Sequence, residues 1–411
     1  MDCEDLRDLL SCKGTALSAA SESGDRDAIP NRLNVLTGFK LTPEDRDIDA
    51  DGDGFSEWEE RLRGSDPNDP NSIPASMTIY VATEQLYDWE AGASAAVPGT
   101  VEDGTVGHPF HTIQQGIDAA ISGDTVLVAE GTYSGLGNRD INLSGKAITV
   151  AAESEAYGPG RCTIDCQYLG RGLVFTSGET ADTVVCGFTI VHGFADLGAG
   201  IYCSASSPRI RHCVLAGNIA QVNGGGVYCQ GGSLSLEHMT ISRNQAILRG
   251  GGICCDGAET MHLYQSIVWE NLAGVDGFDL CIMDSLLSAR TSMATLAYCD
   301  LRQDHPALCV GSLSTISATC CLAADPLFAD ANGGDFHLRS QMGRWCAQEA
   351  TWIQDDKTSL CIDAGDPNTG TSQEVWPHGL RANIGAFGGT LEASLSLSVV
   401  GSQGDLRRDA P

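Results

Sequence analysis

Apolar residues in this chain follow neither a helical period nor a long alternation, but come in short phrases separated by turns. Ile210, Leu236 and Leu263 each stand three residues before Cys213, Met239 and Ser266, which stand two before Leu215, Ile241 and Val268. The phrase predicts two very short strands hinged at one residue. His212, His238 and Gln265 occupy the hinge, and histidine tolerates the left-handed backbone that a one-residue bend demands. A third strand, Ile201-Tyr202-Cys203 and its counterparts, follows a glycine run.

The phrases belong to a repeat. GAGIYCSASSPRIRHCVLAGNIA, GGGVYCQGGSLSLEHMTISRNQA and GGGICCDGAETMHLYQSIVWENLA occupy Gly198 to Ala273. Gly200, Gly226 and Gly252 recur at a spacing of 26, as do Cys203, Cys229 and Cys255, and Asn218, Asn244 and Asn271 follow at 26 and 27. Three short strands per step without a 3.6-residue period predict an all-β chain, a right-handed parallel β-helix. Val185-x-x-Phe188-x-Ile190 and Leu296-x-x-Cys299-x-Leu301 extend the array on both sides, to an expected eight or more coils. Upstream, Thr112 with Gln115 makes a capping box, and Ile113, Ile117, Ala120 and Ile121 give a short helix one apolar stripe. Such a helix is expected to cover the open first coil, which otherwise exposes its core and an unpaired edge.

Charge then narrows the partners. With 54 acidic against 24 basic residues the net charge is −30, which repels nucleic acid and anionic membrane surfaces. No apolar run is long enough to span a membrane. The N-terminus, MDCEDLRDLLSCKGTAL, has neither a basic start nor an apolar core, so it is not a signal peptide. The sequence is read as lacking its true beginning, because its modules have an extracellular character. The 17 cysteines are an odd number. Those at repeat positions read as small core fillers, whereas Cys162 with Cys166, or the cluster Cys309, Cys320, Cys321, Cys346 and Cys361, are open to disulfide pairing in an exported protein.

A different chemistry lies upstream of the repeats. Asp49-x-Asp51-x-Asp53-Gly54 followed by Glu60 matches a twelve-residue calcium loop: carboxylates at positions 1, 3 and 5, a glycine at 6, the Phe55 carbonyl at 7, Glu57 at 9 and Glu60 at 12. Ca2+ takes six to eight hard oxygens, and alternate residues of a tight loop supply them. No long amphipathic helix precedes the loop, and the one after it ends within about two turns, before the prolines. DIDADGDGFSEWEERLRGSDPNDP resembles the calcium-stabilised linker repeats of thrombospondin type 3 and related bacterial surface proteins. That resemblance implies a Ca2+-stiffened spacer, with Asp47 or Asp66 as extra ligands.

The expected organisation is an N-terminal segment (1–41), an EF-hand/thrombospondin type 3-like calcium module (42–70), a linker (71–76), the β-helix (77–392) and a polar tail (393–411). The phrases PFHTIQQGIDAAISGDTVLVAEGTYSG, ADPLFAD, SLCIDAGDP and NIGAFGG, together with the repeat coils, resemble the pectate-lyase-like superfamily of right-handed parallel β-helices. The likeness is to bacterial, often planctomycete, exported proteins, and it implies a fold more than a function, since the fold hosts lyases, hydrolases, esterases and adhesins. The late phrases are expected to form final coils and to cap the second end.

Function divides two readings. Lyases of this fold abstract a proton beside a uronate carboxylate with an Arg or Lys base, next to bound Ca2+. Arg209 and Arg211, which flank the inward Ile210, are the candidate bases, with Arg243 and Arg249 behind them. Hydrolases use clustered aspartates, and Asp355-Asp356 is the adjacent pair, expected in a turn. His212 and His238 would stack one coil apart, but Gln265 at the third position favours bend residues over a metal pair. The binding reading rests on Tyr202 and Tyr228, which alternate with inward neighbours and so are expected to form an exposed two-rung ladder suited to sugar rings. The expectation is a secreted or cell-surface protein that contacts carbohydrate or serves a structural or adhesive role, with Ca2+ as its cofactor. A polysaccharide lyase or glycoside hydrolase acting in a groove is the alternative.

Overall fold

The computed structural model describes residues 48–83, 102–284, 291–304, 306–371 and 373–396. Asp47, the expected segment 1–41 and residues 397–411 of the expected tail 393–411 lie outside the described residues. The chain divides between Ala75 and Ser76 into two compact units.

The described part of the first unit is the acidic loop followed by α1 (Glu57–Arg63). Ser56 and Glu59 form a reciprocal capping box, and Gly64 ends the helix in the left-handed region at φ 78°. The helix is two turns long, as the sequence implies.

The second unit is a parallel β-solenoid. Sheet one has nine strands, from Thr78–Val81 to Thr315–Thr319; sheet two has seven, from Gly131–Ser134 to Asp300–Leu301; sheet three has seven, from Ile141–Asn142 to Leu308–Val310. The array therefore has seven turns on two faces, short of the eight expected, and sheet one alone runs to nine strands. Equivalent residues of successive copies pair in register: Ile210 with Leu236 and Leu263, Leu215 with Ile241 and Val268, Cys203 with Cys229 and Cys255. All of these are buried, so each coil adds one layer to a continuous core. The repeat cysteines are core fillers, and the Sγ atoms of Cys229 and Cys255 lie 3.0 Å apart.

The hinge between sheets one and two is left-handed in every regular coil. Gly187 has φ 85°, His212 48°, His238 50°, Gln265 48°, Tyr298 53° and Cys320 53°. A residue with positive φ turns the chain sharply without consuming a second position, which is why the phrase needs one hinge residue only.

The sequence did not disclose a fourth sheet, formed by Phe194–Leu197, Ile219–Asn223, Gln245–Ala246 and Leu272–Ala273. At the corner leading into it, a buried asparagine ladder links the coils. Asn218 Nδ2 donates to Asn244 Oδ1 at 2.9 Å, Asn244 Nδ2 to Asn271 Oδ1 at 3.1 Å, and Asn271 Nδ2 to Asp279 Oδ1 at 3.0 Å. The same oxygens also accept the backbone N–H of the preceding rung. Arg302 closes the ladder with an ion pair to Asp279 at 2.6 Å.

Helix α2 (Ile113–Ala119) begins at the expected Thr112–Gln115 capping box and packs on the first strands of sheets one and three. Gly116 is required there, because a Cβ would fall 2.6 Å from the Val81 side chain. The far part of the chain departs from expectation. Instead of final coils, it forms two antiparallel hairpins, Phe328–Asp330 with Asp335–Leu338 and Arg344–Cys346 with Thr351–Ile353. It then runs back along the outer side of sheet two as a strap. Ile384 packs with Ile267, and Ala386 and Phe387 pack with Val214 and Ala216. Leu391 N–H reaches the Ala156 carbonyl and Glu392 pairs with Arg161 at 2.7 Å. The cause is the apolar outer surface of sheet two, which water would otherwise meet.

Asn244→Ala is expected to remove the acceptor of the Asn218 backbone N–H and of one Asn218 Nδ2 hydrogen in a dry interior, at a cost of about 3 kcal/mol. A melting temperature several degrees lower with an unchanged β-type circular dichroism spectrum is the expected outcome; an unaltered melt would remove the ladder as a source of stability.

Candidate functional site

The acidic loop is shaped by its own carboxylates. Asp49 accepts the N–H groups of Gly52 and Gly54 at 2.7 and 3.0 Å, Asp51 that of Asp53 at 3.2 Å, and Asp53 that of Phe55 at 2.9 Å. One oxygen of each of Asp49, Asp51 and Asp53 lies within 4.8 Å of the others. Glu60 is fully buried on the first turn of α1, and neither of its oxygens receives a hydrogen bond; Asp51 Oδ2 and Asp53 Oδ2 are also buried without a partner. Burial, then the charges of Asp51 and Asp53, push the Glu60 carboxyl up; burial, with the charges of Asp53 and Asp49, does the same to Asp51. A cluster of converging, unpaired carboxylate oxygens is what a hard cation would satisfy. Two predicted ligands are also engaged locally: Glu57 pairs with Arg61, and Asp66 accepts the N–H of Asn68.

On the solenoid, Arg209 and Arg211 both lie on the outer side of sheet one, as expected. Arg209 pairs with Glu237 at 3.6 Å and Arg211 with Glu155 at 3.1 Å. Arg211, Glu155, His212, Gln373 and Thr390 line a cleft of about 400 Å3 where the strap meets the corner of sheets one and two. Arg211 Nε is buried there and makes no hydrogen bond. Glu155 comes from an irregular turn and Gln373 from the strap, so no repeat pattern could have named them. Arg243 pairs with Glu270 at 3.6 Å and Arg249 with Asp276 at 3.0 Å.

His212 and His238 stack with ring centroids 4.6 Å apart. Burial lowers the pKa of His212, and burial together with His212 lowers that of His238 to about 3, so both rings are neutral at neutral pH. His212 Nδ1 lies 3.2 Å from the Ala386 carbonyl of the strap, and the Gln265 amide contacts His238 Nε2 at 2.9 Å. Both serve as bend residues, and His212 also anchors the strap. Asp355 likewise has structural partners, accepting from Ser340 N at 2.9 Å and from Arg344 Nε at 3.1 Å.

The tyrosine ladder forms but is not open. Tyr202 and Tyr228 stack in parallel at 5.8 Å, yet Tyr228 is only 3% exposed and Tyr202 is half-buried. The expected exposure fails because the glycine turns at Gly198 and Gly224 fold over the outer side of sheet three, so closely that a Cβ on Gly224 would stand 2.7 Å from Tyr228 Cβ. Tyr228 Oη instead donates to Asp256 at 2.9 Å. The outer face of sheet one, by contrast, carries Arg209, Ser235, His262, Thr295 and Ser317 as one in-register column, each exposed or half-exposed.

These features define the chain as a parallel β-solenoid that covers two of its own faces and leaves polar side chains on a third. Residues 307–365 match the model of a family described as Disaggregatase related, a small part of the chain that spans the last coil and both hairpins. The crystal structure of pectate lyase Pel9A is similar at 13% identity over 76% of this chain and 96% of that one, with a TM-score of 0.27. No curated protein matches.

One wall of the cleft depends on a buried acid. Glu374 Oε1 accepts the N–H groups of Asn383 and of the cleft residue Gly389, at 2.9 and 2.8 Å. Burial raises its pKa from 4.5 to about 7. A raised acid stabilises the fold fully below its unfolded pKa, and that contribution is lost as the pH climbs through about 7. Glu374→Gln, which keeps the accepting oxygen, is therefore expected to be near-neutral at pH 5 and stabilising by roughly 1–3 kcal/mol at pH 8. Chemical denaturation at the two pH values checks it; equal effects at both would contradict the assignment.

Proposed function

We propose that the protein is a non-catalytic, extracellular or surface-displayed solenoid that contacts polysaccharide through sheet one, carried on a Ca2+-stiffened module. The observation that carries the binding reading is the uncovered column Arg209, Ser235, His262, Thr295 and Ser317, which offers a polar group at each coil step beside the Arg211 cleft. A repeat of about 4.8 Å matches neighbouring hydroxyls along a sugar chain better than it matches a compact ligand. The pairing of both candidate arginine bases with carboxylates supports contact over proton abstraction. Placement outside the cell rests on the sequence likeness to exported β-helix proteins; among the described residues no helix is long and apolar enough to cross a membrane.

In the module, Asp49, Asp51, Asp53 and Glu60 would hold Ca2+ through side-chain oxygens, with the Phe55 carbonyl and Glu57 completing the set. What supports this reading is the buried, unpaired Glu60 carboxylate. The ion would supply counter-charge and cross-link the loop to α1, which is a stiffening role.

Two measurements test these assignments. Calorimetry is expected to show Ca2+ binding that disappears in the double variant Asp51→Ala, Glu60→Ala; binding that survives would place the ion elsewhere. Against a panel of acidic and neutral polysaccharides, the protein is expected to bind at least one, several-fold more weakly after Arg209→Ala with His262→Ala. Unsaturated products or new reducing ends would overturn the non-catalytic reading in favour of a lyase or hydrolase.

A further inference from the structure

The outer side of sheet three holds a cluster that neither the calcium module nor the sugar-facing column uses. Cys254, Cys281 and Cys309 are the same position in three consecutive coils, paired in register. They continue the column begun by Tyr202 and Tyr228, and all three are free thiols. The glycine turn that covers this column carries Asn223, Arg249 and Asp276 at equivalent places, joined by parallel bridges. Of these three turn positions only Asp276 is acidic, and it lies at the coil of Cys281, where sulfur has replaced the aromatic rings. Gly277, at φ 64°, holds that turn against the strand so closely that a Cβ would sit 2.6 Å from Cys281 Cβ.

We propose that Cys281, Cys309 and Asp276 form a thiolate metal site for a thiophilic divalent cation of the Zn2+ class. Their ligand atoms all lie within 4.8 Å of one another. A tetrahedral ion with metal–sulfur bonds of about 2.3 Å needs its ligands about 3.7 Å apart, a distance that small side-chain rotations reach. The two thiolates are the soft donors that select Zn2+ over Ca2+ or Mg2+, and a carboxylate oxygen is an ordinary additional ligand of Zn2+.

Charge and access agree with the assignment. Arg249 Nε holds Asp276 Oδ1 at 3.0 Å, which orients the carboxylate and leaves Oδ2 outside that bond. Two thiolates, a carboxylate, a divalent ion and the Arg249 guanidinium sum to zero, so the loaded site leaves no uncompensated charge against the sheet. Cys281 is fully buried whereas Cys309 and Asp276 are partly exposed, giving the ion an entry path and a fixed inner ligand.

The test uses the reduced full chain and Cd2+, whose thiolate charge-transfer band in the near ultraviolet counts bound sulfurs and is silent toward carboxylate-only sites. One equivalent is expected to produce a band worth two thiolates, with Zn2+ displacing it. Cys309→Ser is expected to halve the band and to weaken binding at least tenfold, and Asp276→Asn to weaken binding at least tenfold with the band retained. Cys320→Ser, at an exposed thiol, is expected to change neither. Cys281→Ser is expected to lose the site; should it fail to fold, the partly exposed Cys309 and Asp276 variants decide the question. The proposal is overturned by the absence of a one-equivalent band, by a band unaltered in Cys309→Ser, or by mass spectrometry finding Cys281 in a disulfide with Cys254 or Cys309.

Discussion

The structure depends on one buried run of hydrogen bonds, from Asn218 through Asn244 and Asn271 to Asp279. Each amide caps the backbone of the preceding coil, through the carbonyls of Ile190, Leu215 and Ile241, and passes a hydrogen bond to the next one. Side-chain amides have both donors and acceptors, so they can propagate such a chain indefinitely. Termination is harder, because the last oxygen must find a partner or stay charged. Asp279 ends the run as acceptor only, and Arg302 balances it. A coil one residue out of phase would bury these groups unpaired, so the ladder reinforces the register that the buried aliphatic layers set.

With the register locked, every outward position recurs along a straight column, and the protein covers two of these faces with its own chain. The strap lies on sheet two, bonding Gly385 N–H to the Gln265 carbonyl and Ala386 N–H to Thr240 Oγ1 at 3.1 Å. Glycine turns lie on sheet three. Both coverings act through backbone, and both require glycine where they approach: Gly158 sits so close to Phe387 that a Cβ would fall 2.6 Å from its ring. The same steric economy that buries Tyr228 brings Asp276 to Cys281. Sheet one is left with a polar surface, and its arginines pair with glutamates of neighbouring coils.

Much of the fold was legible because coil geometry writes itself into the sequence at a fixed spacing. The hinge residues His212, His238 and Gln265 were placed correctly from one short phrase, since a one-residue bend has few backbone solutions. The capping box at Thr112 and Gln115 and the length of α1 were equally local. Strand alternation, by contrast, misled at Tyr228: it gave the direction of the side chain but not what lies beyond it. The late phrase around Asp325 pairs in a local hairpin in place of a coil. Those around Asp363 and Asn383 lie on sheet two and meet residues about a hundred positions earlier, as with the Asp366 N–H that bonds Gln265 Oε1 at 2.9 Å.

The sequence by itself therefore determined the coil, its hinges, its inward layers, the capping helix and the spacing of carboxylates in the acidic loop. Each depends on contacts within one repeat or between identical positions of adjacent repeats. Only the tertiary structure decided which outward faces stay open, where the C-terminal segment lies and which side chains meet from different columns. Burial of an outward residue depends on chain that is distant in sequence and carries no repeat of its own. The Arg211 cleft, the sulfur column beside Asp276 and the closed tyrosine ladder all belong to that second kind.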